Sequence, residues 1–175
     1  MLFVDVRGST PLAESMTAAE FSRLINRFYK VATDILIRTD AMIDKLVGDQ
    51  VTGLYVPGLA GPAHAQRAIA AARGIMRATG HADPGGPWIP LGAGVHTGIA
   101  YVGSVGSRDG AIDITVLGDA ANTAARLSSS AGQGEVLLSQ SAHASAGLAL
   151  GDLETRRLAL KGKSEPVSVY VLTAY

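Results

Sequence analysis

The sequence predicts helices packed against a sheet, an α/β or α+β sandwich, because strand-like and helix-like patterns alternate along the chain. From Phe21 the apolar positions Leu24, Ile25, Phe28, Ala32, Ile35 and Leu36 recur at three- and four-residue spacing, which gives a helix one buried face. Residues 41–47 and 50–56 are apolar and β-rich around Gly48-Asp49, the pattern of two strands joined by a tight hairpin. At 175 residues without cysteine, the chain suits one compact domain rather than two small ones lacking a staple.

The elements follow in order. Met1-Leu2-Phe3-Val4-Asp5-Val6 reads as a strand, and Arg7-Gly8-Ser9-Thr10-Pro11 supplies a turn and a helix start. The long amphipathic helix and the hairpin come next, and Pro57-Gly58 ends the hairpin. An Ala-rich helix is expected over 63–79 and a Pro/Gly-dense loop over 81–90. Residues 91–100 and 101–105 are expected to form a strand pair, 111–117 a further strand, and 118–127 a helix. The end reads as strands at 135–138 and 167–172, with a short helix and a turn between them.

Composition excludes several functions. With 15 Lys+Arg against 15 Asp+Glu, no net basic field draws the chain to nucleic acid or an anionic membrane. The absence of cysteine excludes thiolate-held metals, thiol catalysis and a disulfide framework. The apolar start before Asp5 is too short for a secretory signal core, and no run approaches the roughly 18 apolar residues of a membrane span. A cytoplasmic domain is expected. Because the chain opens directly inside a strand, residues 1–175 are expected to be a single domain cut from a longer protein.

A few residues can carry chemistry. Asp5, at the end of a buried-looking strand, is either a cap for the following turn or a ligand for a hard cation, and amides after Gly8 can receive phosphate. Asp49 is either a hairpin turn residue or, if the first strand lies beside the hairpin, the second carboxylate of a two-cation site. Lys45 lies four residues earlier, so an extended strand puts it on the same face as Asp49. By default Lys45 is a solvated lysine and Thr115 an ordinary strand residue. On the helix from Gly118, Asn122 and Arg126 stand one turn apart, as exposed polar pairs often do.

Their joint occurrence resembles the catalytic domain of class III adenylate and guanylate cyclases. Phe3-Val4-Asp5-Val6-Arg7-Gly8-Ser9-Thr10 is similar to that family's first metal motif and Lys45-Leu46-Val47-Gly48-Asp49 to its second. Gly94-Val95-His96-Thr97-Gly98 resembles the segment that follows. The run from Thr115 to Leu127 resembles the most diagnostic motif, and Leu160-Lys161-Gly162 with Pro166-Val167 the closing one.

The resemblance implies an α+β palm with a ferredoxin-like βαββαβ core, a mostly antiparallel sheet and extra C-terminal strands. It also implies that Asp5, the Val6 carbonyl and Asp49 hold two Mg²⁺ or Mn²⁺ ions per active site, and that Gly8, Ser9 and Thr10 help bind substrate. Lys45 and Thr115 would read the base, Thr115 being the position seven before Asn122. Asn122 would orient the ribose, Arg126 would stabilise charge on the α-phosphate, and Lys161 would hold the terminal phosphates.

A Lys/Thr pair resembles the adenylate cyclase subgroup, whereas guanylate cyclases typically carry Glu and Cys there. ATP is the expected substrate, and cyclic AMP and pyrophosphate are the expected products. The implied assembly is a homodimer with two composite active sites, with no nucleic acid or membrane contact by this domain and with room for an upstream regulatory domain. The alternatives are a guanylate cyclase or a non-catalytic nucleotide-binding regulatory module.

Overall fold

The computed structural model describes residues 1–106, 112–161 and 165–173, and for Ile112 and Asp113 the backbone alone. Ala111 of the expected strand and Gly162 of the closing motif lie outside the described residues. The chain runs β1 (Leu2–Val6), α1 (Ser9–Glu14), α2 (Ala18–Arg38), β2 (Met42–Val47), β3 (Gln50–Leu54), α3 (Pro57–Ala60), α4 (His64–Ala78), β4 (Leu91–Val95), β5 (Tyr101–Gly106) and β6 (Ile112–Leu117). It continues through α5 (Asp119–Ser130), β7 (Glu135–Ser139), α6 (Gln140–Ala146), β8 (Glu154–Leu158) and β9 (Val167–Thr173).

Seven strands form one sheet in the order β2-β3-β1-β4-β7-β9-β8, antiparallel throughout except between β4 and β7. Its first four strands carry two crossovers, β1 to β2 through α2 and β3 to β4 through α4, which is the ferredoxin-like βαββαβ arrangement. The expected α+β fold, with a mostly antiparallel sheet and helices against it, is the one observed.

Alternation along β1 sorts the two faces. Leu2, Val4 and Val6 enter the main core with Phe28, Ala32 and Leu36 of α2 and Ala68, Ile69, Ala72 and Ile75 of α4. Phe3 and Asp5 point to the opposite face, where α5 lies. There Phe3 stands beside Gly94 and Asp5 beside Gly92. A Cβ on Gly94 would come within 2.4 Å of the Ser128 nitrogen and 2.6 Å of the Ala124 carbonyl, so the missing side chain lets α5 rest directly on β4.

The structure corrects two expectations about strands. Residues 91–100 and 101–105 do not pair with each other: β4 ends at Val95 and lies between β1 and β7, while β5 pairs with β6 in a separate two-stranded ribbon. β8, where only a short helix and a turn were expected, is an additional strand at the sheet's edge. α2 also begins three residues before Phe21. A reciprocal cap, in which the Thr17 hydroxyl accepts from the Glu20 nitrogen and the Glu20 carboxylate from the Thr17 nitrogen, satisfies its first amides.

Candidate active site

The two candidate metal carboxylates come together because β1 and β3 are antiparallel neighbours. Asp5 stands opposite Gln50, one residue beyond Asp49, and the Val6 amide donates to the Asp49 carbonyl at 3.1 Å. The hairpin tip is thus tied to the end of β1. Tyr29 of α2 holds it from the other side, its hydroxyl donating to the Gly48 carbonyl at 2.8 Å. Gly48 has φ +62°, a left-handed conformation that glycine adopts without strain.

Burial pushes the Asp5 carboxyl above its ordinary pKa, the neighbouring Arg7 guanidinium opposes that shift, and the Asp49 charge adds to it. Asp49 also contributes, after burial, to pushing the Tyr29 hydroxyl up. Two carboxylates that feel each other across a strand pair are a poor arrangement for an empty core and a good one for a hard cation. Asp49 opens on a cleft of about 450 Å³ lined by Ser9, Thr10, Ala13, Glu14, Phe21 and Gly48. Gly8, with φ +63°, turns the chain into α1 so that Ser9 and Thr10 face this cleft.

A second cleft, of about 290 Å³, brings together three of the candidate substrate residues: Lys45 from β2, Thr115 from β6 and Asn122 from α5. Phe3, Asp44, Val47, Gln50, Thr52 and Ala125 are also in its wall. Thr115 is 8% exposed, sits opposite Gly103 in the ribbon and lines the cleft. α5 starts after Gly118, whose φ of +130° lets the chain leave β6 sharply, and Asn122 follows in the first turn. The expectation that Lys45 and Asp49 share a face is corrected: β2 ends at Val47, and the tight turn aims Asp49 into the first cleft while Lys45 lines the second.

Five expected residues line neither cleft: Asp5 and Val6 at the end of β1, Gly8 just after it, Arg126 and Lys161. Arg126 is half-buried one turn beyond Asn122. Lys161 is exposed at the turn after β8, and Leu160 anchors that turn in a core with Leu127, Leu137 and Val169. Residues without an assigned role also contribute. Gln50 lines the second cleft, and Arg7 pairs with Asp5 while donating to the Ser129 and Ala131 carbonyls at 3.1 and 3.3 Å. In the sequence Arg7 reads as part of a turn and Gln50 as the start of a hairpin strand, so neither stands out there.

A model of the adenylate and guanylate cyclase catalytic domain matches residues 1–174. The chain belongs to that family. It is a nucleotide cyclase catalytic domain by its sequence as well as its fold. It is 31% identical to an adenylate cyclase of Anabaena cylindrica across 99% of its own length, which is 36% of that protein. It is also 32% identical to an uncharacterized protein of Mycobacterium tuberculosis over 73% of its length and 23% of the relative's. The chain thus spans about a third or less of these relatives.

Among solved structures, the adenylyl cyclase CyaB from P. aeruginosa superimposes with a TM-score of 0.82 at 28% identity, covering 99% of this chain and 93% of that one. A guanylyl cyclase reaches a TM-score of 0.86 at 24% identity, covering 97% and 88%, which speaks to the fold.

The donor set of this cyclase domain fits the divalent metals its family uses. Asp5 and Asp49 offer hard oxygen ligands, and among the described residues no group of three or more His, Cys, Asp and Glu forms a closed cage. Two carboxylates with positions left for substrate phosphates suit Mg²⁺ or Mn²⁺. No helix among the described residues is long and apolar enough to cross a membrane.

Proposed function

We propose that this chain is the catalytic domain of an adenylate cyclase, converting ATP to 3′,5′-cyclic AMP and pyrophosphate at composite sites between two copies. The observation that carries the reading is the convergence of Lys45, Thr115 and Asn122 on one cleft. Adenine offers an acceptor at N1 and a donor at its exocyclic amine, which a Lys ammonium and a Thr hydroxyl satisfy together. A hydroxyl can also turn to suit guanine, so slower turnover of GTP accompanies this chemistry.

In the reaction the ribose 3′-hydroxyl gives its proton to solvent water and its oxygen bonds to the α-phosphorus, while the α-phosphorus bond to the bridging oxygen breaks and pyrophosphate leaves. Asp5, the Val6 carbonyl and Asp49 would hold two divalent ions, which when bound would make the 3′-hydroxyl more acidic and neutralise phosphate charge. Asn122 orients the ribose. The planar Arg126 guanidinium spans two α-phosphate oxygens as charge builds on them. Lys161 holds the terminal phosphates, and Gly8, Ser9 and Thr10 cradle them beside Asp49.

Within one chain the carboxylate cleft and the base-reading cleft are lined by different residues. That separation supports a homodimer in which each site takes Asp5 and Asp49 from one copy and Lys45, Thr115, Asn122 and Arg126 from the other. Exposed apolar side chains near the base-reading half, Val47 (61%), Ile99 (99%), Ile114 (63%) and Leu117 (48%), supply a surface for such pairing. The chain is read as one cytoplasmic domain, residues 1–175, of a longer protein with regulatory segments elsewhere, which accords with its small share of its relatives' length.

The test is cyclic nucleotide formation followed by mass spectrometry, with ATP and GTP in parallel, Mg²⁺ and Mn²⁺ each supplied, and Asp49→Ala as control. The reading predicts cyclic AMP as the main product and its loss in the control. No product from either nucleotide, in a folded and dimeric sample, would favour a non-catalytic regulatory module.

A further inference from the structure

Arg7 joins parts of the molecule more than a hundred residues apart in sequence. One guanidinium nitrogen pairs with Asp5 Oδ2, and the other donates to the carbonyls of Ser129 and Ala131, at the C-terminal end of α5. The pair is shielded, the two side chains being 19% and 18% exposed. A groove is shaped for it: a Cβ on Gly92 would sit 3.1 Å from Arg7 Nε and 3.0 Å from the Ala131 carbonyl, so glycine there leaves the room that Arg7 fills. Cations are favourable at a helix C-terminus, where backbone carbonyls lack helical partners. Arg7 is therefore held at one end by α5 and at the other by a carboxylate proposed to hold metal.

We propose that Arg7 is a positioning residue that competes with metal for Asp5 and so couples metal binding there to the placement of α5. This rests on the reading of Asp5 and Asp49 as the metal pair. Oδ2 is the oxygen that Arg7 holds, so an ion that took it would compete with the guanidinium. The guanidinium then keeps only its α5 carbonyls, and the brace from β1 to the helix bearing Asn122 and Arg126 is undone. In a composite dimer that helix serves the other site, so loading one site is felt at the second. Coupling of this kind is reciprocal: whatever holds α5 in its braced position weakens metal binding at Asp5.

The test uses the whole chain without nucleotide and Mn²⁺ as the probe. Free Mn²⁺ is titrated by electron paramagnetic resonance, and amide hydrogen exchange is followed with and without the ion. Arg7→Gln is expected to bind Mn²⁺ roughly tenfold more tightly, because a charge-assisted competitor is gone. In the parent, Mn²⁺ should speed exchange at residues 128–133, and in Arg7→Gln that response should vanish. Arg7→Lys, which keeps the charge without the fork, should hold near-parental affinity yet lose most of the exchange response.

Gly92→Ala crowds Arg7 while leaving it in place and should also tighten Mn²⁺ binding, so it decides the matter if Arg7→Gln does not fold. Parental Mn²⁺ affinity in Arg7→Gln, or an unchanged exchange response, would overturn the coupling alone. A parent that binds no more Mn²⁺ than Asp49→Ala would overturn the metal reading and the coupling with it.

Discussion

Replacing Gly94 by alanine tests how α5 is held over the sheet. The added Cβ would lie 2.4 Å from the Ser128 nitrogen, 2.6 Å from the Ala124 carbonyl and 2.7 Å from the Leu127 Cβ. Two of these are helix backbone and cannot swing aside, so α5 must lift from β4 by about 1 Å to reach ordinary contact. Overpacking of this kind costs about 1–3 kcal/mol. Asn122 and Arg126 ride on the same helix, and a displacement of about 1 Å in a positioned catalytic group lowers turnover by as much as about 100-fold.

Stability is read by urea unfolding through Trp88, the single tryptophan, which is packed under Arg27. Turnover is read as cyclic AMP formed. Gly58→Ala, at a position with no atom within 4 Å, serves as the neutral control. Gly94→Ala with the parent's unfolding midpoint and turnover would refute the close-packing argument.

Three further outcomes follow from the same structure. His81 accepts the Leu91 amide on Nε2 at 3.1 Å, which leaves Nδ1 to carry the proton toward the Met76 carbonyl, and burial holds its pKa below the ordinary 6.5. The unfolded chain therefore binds the extra proton first as pH falls through 6.5, so stability should drop below that pH, and urea midpoints of His81→Ala should lose this dependence. Tyr29→Phe removes the hydroxyl bond to the Gly48 carbonyl and should cost about 1 kcal/mol or less in unfolding while loosening the Asp49 tip, seen as a higher metal requirement for activity. Lys45→Glu combined with Thr115→Cys should shift the product ratio from cyclic AMP toward cyclic GMP, measured by mass spectrometry with equal ATP and GTP.

What the sequence makes legible depends on how local the cause is. The α2 helix shows in its apolar spacing, and the β2–β3 hairpin in Gly48-Asp49, because a stripe and a turn are properties of a few neighbouring residues. Strand partners are not local. Residues 91–100 and 101–105 read as a pair of strands, yet β4 stops at Val95 and β5 leaves to pair with β6.

β8 gives almost no signal, since Glu154-Thr155-Arg156-Arg157-Leu158 is a polar edge strand paired on one side only. It is held partly by Arg156, whose guanidinium donates two 3.0 Å bonds to Glu135 on β7. The candidate site was readable as motifs, and its division into two clefts was not. Lys45 and Asp49 stand four positions apart, and only the end of β2 at Val47 decides that they open in different directions. Arg7 passed as a turn residue because its partners lie at the far end of α5.

The most direct test of the central claim is complementation between two inactive chains. Asp49→Ala and Arg126→Ala are each purified, shown to be folded and inactive, then mixed and assayed for cyclic AMP. Shared sites predict that the mixture regains activity, because each heterodimer holds one site with both its carboxylates and its arginine intact. A mixture that exchanges subunits and stays as inactive as either parent would contradict composite sites.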